Sequence, residues 1–92
     1  MGEQRAERLV EIKNKLGLHA RAANMIVKVA NRYRAKVTLE KDGVEANGKS
    51  IMGLLMLAAG KGAKLRIRAQ GEDASEAVEE IARLVEGNFG EE

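Results

Sequence analysis

Lys36-Val37-Thr38-Leu39-Glu40-Lys41-Asp42-Gly43-Val44-Glu45-Ala46 reads as a strand, a two-residue turn and a returning strand. Val37 and Leu39 alternate with polar residues, the period of two that a half-buried strand requires. Asp-Gly is a strong hairpin signal, because both central positions of the favoured turn need a positive φ that these residues tolerate best. An antiparallel pair, Lys36 to Lys41 with Val44 to Ala46, therefore sits in the middle of the chain, and its flanking segments must cover it.

Upstream, Leu9 to Asn14 alternates as a strand, with Val10 and Ile12 on one face and Glu11 and Lys13 on the other. From Ala20 to about Tyr33 the period becomes helical. Ala23, Ile26, Val27, Ala30 and Tyr33 form one apolar stripe, with Ala22, Met25 and Val29 as a second beside it. The second stripe exceeds what one core contact needs. Downstream, Asn47-Gly48 breaks the returning strand, and Ser50 to Leu57 reads as a short helix with Ser50 as N-cap. Gly60 and Gly62 mark a loop. Leu65, Ile67 and Ala69 alternate with Lys64, Arg66, Arg68 and Gln70 as a fourth strand. Asp73-Ala74-Ser75-Glu76 has the form of a capping box and opens a helix whose Ala77, Val78, Ile81, Ala82 and Val85 face inward. Gly87 ends it. The order is βαββαβα. It predicts an α+β fold, an open-faced β-sandwich with a four-stranded, mainly antiparallel sheet and three helices on one face. Residues 1–92 are expected to form a single domain.

The chain is 45% hydrophobic and 33% charged, which fits a folded chain better than a disordered one. It has no cysteine and one histidine, so a metal site would need several carboxylates, and no cluster supplies them. No metal and no cofactor are expected. No apolar run approaches the ~20 residues of a membrane helix, and the N-terminus is no signal peptide, so a cytoplasmic protein without membrane insertion is expected. A net charge of +2 is too balanced to demand nucleic acid, and Tyr33 and Phe89 are the only aromatic residues on which bases could stack. The charge is uneven, however. Residues 13 to 36 carry Lys13, Lys15, Arg21, Lys28, Arg32, Arg34 and Lys36 with no acid among them, while residues 72 to 92 are strongly acidic.

The one histidine, His19, lies in that basic half, in Gly17-Leu18-His19-Ala20-Arg21-Ala22-Ala23, where extended chain gives way to helix. A helix N-terminus offers unpaired N–H groups and a dipole that favours negative charge. An imidazole there, neutral and nucleophilic near pH 7, with an arginine two residues on, suits capture of a phosphoryl group. A histidine that merely caps the helix or fills space fits the same heptapeptide. The second signal is Ser50-Ile51-Met52-Gly53-Leu54-Leu55-Met56-Leu57, apolar nearly all round. A helix on a sheet buries one stripe, so part of this surface is either additional core or a partner-docking patch.

Asn14-Lys15-Leu16-Gly17-Leu18-His19-Ala20-Arg21-Ala22-Ala23, with Asn47-Gly48-Lys49-Ser50-Ile51-Met52-Gly53 and Ala59-Gly60-Lys61-Gly62, resembles the HPr family over nearly the full chain. These are histidine-containing phosphocarriers of the bacterial phosphoenolpyruvate-dependent phosphotransferase system. The resemblance implies a carrier, not an independent enzyme, that takes a phosphoryl group from phosphorylated enzyme I and passes it to an EIIA-type domain. It implies that His19 is phosphorylated and that Arg21 stabilises the transferred group. Ser50 falls on the serine that an HPr kinase/phosphorylase modifies in some bacteria. Ile51, Met52 and Leu55 fall on the docking patch, with Ala22, Met25, Lys28, Val29 and Lys49 assigned to the same partner-binding surface. A monomer is expected. Ala22 stands where many sugar-pathway members have proline, and Ala22-Ala23 resembles the nitrogen-related branch, often called NPr. In the alternative reading the protein is a regulatory module, whose phosphorylation at His19 or Ser50 is read by partners without sugar transport.

Overall fold

The computed structural model describes residues 4–91, in which four strands and three helices follow the order expected. They are β1 (Gln4–Glu11), α1 (Ala20–Ala30), β2 (Lys36–Lys41), β3 (Val44–Asn47), α2 (Ile51–Met56), β4 (Lys64–Gly71) and α3 (Ala74–Glu86), followed by a 3₁₀ turn at Asn88–Gly90. The sheet order is β1-β4-β2-β3, and all three pairings are antiparallel. Asp42 and Gly43 take φ of 51° and 84° in the hairpin between β2 and β3, the pair of positive values that Asp-Gly predicts.

Register sorts the two faces of the sheet. Val10 opposes Leu65, and Ile67 lies between Arg8 and Leu39, so these residues point to the helix side. Leu39, Leu65, Ile67 and, from the helices, Ile26, Leu54 and Ile81 are fully buried. Each such side chain stabilises the fold by about 1.5–3 kcal/mol, so the core dominates over the exposed ion pairs of the opposite face. That open face carries a charge ladder in which Arg68 reaches Glu40 at 2.8 Å and Glu45 at 2.6 Å.

Three boundaries differ from the sequence reading for identifiable reasons. β1 starts at Gln4, not Leu9, because its first half lacks apolar alternation: Arg8 occupies an inward position and extends to Glu79 and Glu86 of α3 at 2.7 and 2.8 Å. Past Glu11 the ladder ends, but Ile12 stays buried and joins the loop after α2, donating to the Ala63 carbonyl at 2.8 Å. α1 stops at Ala30, short of Tyr33, as Arg32 and Tyr33 bond three residues back in a tightening last turn. Asp73 precedes α3 without a side-chain capping bond. Its carboxylate instead accepts the N–H groups of Arg34 and Ala35, both at 2.9 Å, and the Arg34 bond is the largest influence holding it below the usual carboxylate range. It thereby ties the start of α3 to the segment entering β2.

Candidate functional site

The loop from β1 to α1 is shaped by backbone constraints. Gly17 takes φ +70°, and a Cβ there would lie 2.7 Å from the Ala59 carbonyl oxygen and 2.8 Å from Gly60 Cα. Only glycine meets both conditions without displacing the loop. Leu18 inserts into the core and donates its N–H to the Ala59 carbonyl at 2.8 Å. His19 follows in extended conformation (φ −82°, ψ 177°) as the N-cap of α1, and its carbonyl accepts the first intrahelical bond, from Ala23 at 2.8 Å.

The two ring nitrogens of His19 have different partners. Nδ1 accepts the Ala22 N–H at 3.4 Å, a long contact turned toward the helix start. Nε2 is bonded to the Glu91 carboxylate. A carboxylate only accepts, so the partners assign the ring proton to Nε2 and leave the lone pair on Nδ1. The N–H groups of Ala20 and Arg21 precede the first intrahelical bond and stay open to an anion beside that lone pair. Arg21 is exposed on the first turn, and the His19 side chain is one-quarter exposed. The site is shallow and open.

Glu91 reaches His19 through an unusual end to α3. Asn88 and Phe89 both take left-handed backbone conformations, φ 57° and 54°. Asparagine adopts this readily, whereas a bulky Phe does so only when something offsets the strain. Burial of the Phe89 ring in the core does so here. The reversal carries residue 91 back over α1, and its N–H closes on the Asn88 carbonyl at 2.9 Å. Asn14, 1% exposed, completes the arrangement: Nδ2 donates to the Gly17 carbonyl at 2.9 Å and to Glu91 Oε1 at 3.1 Å. The bonds from His19 and then Asn14 hold the Glu91 carboxyl below the usual carboxylate range, and Arg21 adds to them. Glu91 and Asn14 were not among the sequence-predicted site residues. Asn14 lies in the quoted motif, but its contact with Glu91 spans 77 residues and leaves no local pattern.

The expected docking residues divide. Ile51 and Leu55 are partly exposed, while Met52 is 73% exposed. Leu16 and Met56, outside the expected docking residues, are about as exposed as Met52. The chain leaving α2 is tied to the His19 loop by the bond from the Leu18 N–H to the Ala59 carbonyl. Ala22 and Val29 have buried side chains, because α1 has α2 and α3 as helical neighbours. Met25 is half-buried and Lys28 exposed. The Lys49 ammonium donates to the Tyr33 carbonyl at 2.8 Å, bracing the start of α2 against the chain leaving α1. Ser50 caps α2, its Oγ accepting the Gly53 N–H at 3.0 Å. Among the described residues no group of three acidic, histidine or cysteine side chains is placed to hold a metal, and no helix is long and apolar enough to cross a membrane.

Residues 6–87 match the family described as the PTS HPr component phosphorylation site. Phosphocarrier protein HPr of Neisseria meningitidis is 46% identical over 82 residues, which cover 89% of this chain and 92% of that protein. The HPr-like protein Crh of Bacillus subtilis is 49% identical over 77 residues, covering 84% and 91%. The crystal structure of HPr from Thermoanaerobacter tengcongensis superposes with a TM-score of 0.91 at 41% identity, over 95% of this chain and 98% of that one.

Proposed function

This chain belongs to the HPr family, the histidine-containing phosphocarriers of the phosphotransferase system, and on that premise we propose that His19 receives the phosphoryl group on Nδ1. The protein is a carrier and not a catalyst in its own right. One observation supports the assignment most: the Nδ1 lone pair faces the open N–H groups of α1 while Nε2 is already occupied by Glu91.

Phosphoryl transfer asks the protein for position and charge stabilisation. The Nδ1 lone pair forms a bond to phosphorus as the donor's bond breaks and its electron pair returns to the donor. The Ala22 contact, already long, yields at little cost. The phosphoryl oxygens then accept from the first N–H groups of α1, and the Arg21 guanidinium supplies a fork that matches them. The donor is phosphorylated enzyme I and the acceptor an EIIA-type domain. Met52, Ile51 and Leu55, with Leu16 and Met56 beside them and Lys28 on a basic rim, form the docking surface. In this reading the exchanging unit is one chain in the cytoplasm, and residues 1–92 act as one domain.

A second, regulatory reading draws on the similarity to Crh and on Ala22-Ala23, which resembles the nitrogen-related branch. In that reading Ser50 is modified by an HPr kinase/phosphorylase. The dianion would sit at the start of α2, where its charge opposes apolar docking without unfolding the helix. The phosphocarrier reading is tested by incubation with phosphoenolpyruvate and enzyme I. The wild type gains one acid-labile phosphate, and His19→Ala gains none; a labelled His19→Ala protein contradicts the assignment.

A further inference from the structure

We propose that Glu91, held by Asn14, is a positioning residue for phosphoryl transfer: it keeps the proton on His19 Nε2 throughout the cycle, so that the phosphorylated ring is presented to the acceptor as a phosphoimidazolium. The inference rests on phosphorylation at Nδ1 and deepens that reading.

Three features carry it. The Nε2–Glu91 bond lies on the side of the ring opposite the Nδ1 contact, so the carboxylate does not compete with the incoming phosphoryl group. The carboxylate has a second, independent anchor in the amide of buried Asn14, whose Nδ2 is shared between Glu91 and the Gly17 carbonyl. Finally, the segment bearing Glu91 is fixed by the left-handed Asn88–Phe89 turn and the buried Phe89 ring.

The proton bookkeeping is simple. A neutral ring with hydrogen on Nε2 attacks through Nδ1, and the product ring is a cation that still carries that hydrogen. On donation, the acceptor's lone pair bonds to phosphorus, and the P–Nδ1 pair returns to the ring. The ring leaves as neutral imidazole, with the proton never having moved. Without the Nε2 proton the leaving group would be an imidazole anion, which departs far less readily. Glu91 favours the cation by direct charge, and Arg21, whose charge also helps to hold the Glu91 carboxyl low, carries the opposite sign from α1.

The test compares wild type, Glu91→Gln and Glu91→Ala, each phosphorylated by phosphoenolpyruvate and enzyme I and mapped by mass. Phosphate on a residue other than His19 would refute the function reading itself. With the phosphate on His19, the rate of release to an EIIA-type acceptor is followed from pH 6 to pH 9. Glu91→Gln keeps a hydrogen-bond acceptor but loses the charge. Its rate is expected to match wild type near pH 6, where solvent supplies the proton, and to fall about tenfold near pH 8, where solvent no longer does. Glu91→Ala, losing bond and charge together, shifts the alkaline limb at least as far. Superimposable profiles would overturn the proposal, as would a uniform loss of rate with unchanged pH dependence.

Discussion

Two opposite fields act on the His19 ring. The start of α1 disfavours a cation, and the Glu91 carboxylate favours one. Phosphorylation at Nδ1 would resolve the conflict, because the phosphoryl charge then occupies the helix start while Glu91 faces the cationic ring. Arg21 adds a mobile positive charge on the phosphoryl side. Its guanidinium is exposed, which suits a group that must let its ligand go. Arg21→Ala is expected to fold normally and to slow transfer from enzyme I by about tenfold to a hundredfold, the range for removal of one charge-stabilising donor. An unaltered rate in a rapid-mixing assay would take Arg21 out of the mechanism. His19 and Arg21 were legible in the sequence because strand-to-helix punctuation and a basic surround are local patterns. Glu91 was not legible: it meets His19 across 72 residues, by way of a backbone turn in which Phe89 takes a conformation its own propensity opposes.

Among the elements, α2 is the clearest case of a sequence pattern with two meanings that the fold separates. Leu54 and the following Leu57 go into the core, while Met52 and Met56 stand in solvent on the other side. The capping Ser50, the brace from Lys49 and the packing against α1 hold six residues helical, a length that would not persist alone. Met52→Asp is therefore expected to leave stability near wild type. It should weaken enzyme I binding by roughly tenfold, about 1.4 kcal/mol, as measured by calorimetry. Unchanged affinity would remove this helix from the docking surface. On α1 the second stripe sends Ala22 and Val29 into the core and leaves Met25 half-buried, since periodicity shows which residues share a face but not how many neighbours a helix has. The capping box at α3 misled in a related way. Asp73 does precede the helix, but it spends its carboxylate on Arg34 and Ala35, contacts that only the tertiary fold brings within reach.

At the scale of the whole molecule, the sheet has a helix-covered side and a charged open side, and the proposed chemistry lies at neither. It lies where three loops converge: β1 to α1, the chain after α2, and the segment after α3. The sheet order β1-β4-β2-β3 brings the ends of these elements together, and short backbone bonds such as Leu18 to Ala59 lock them. The element order and sheet class followed from alternation, one Asp-Gly turn and helix punctuation, all short-range signals. The convergence of loops did not, since it depends on strand order. In the proposed function this convergence fixes which nitrogen of His19 is reactive. The most direct test is heteronuclear NMR of the protein carrying ¹⁵N-histidine after phosphorylation by phosphoenolpyruvate and enzyme I. Phosphorus coupling to Nδ1, with hydrogen retained on Nε2, is the predicted result. Coupling to Nε2, or a phosphorylated protein with no histidine coupling, would contradict it.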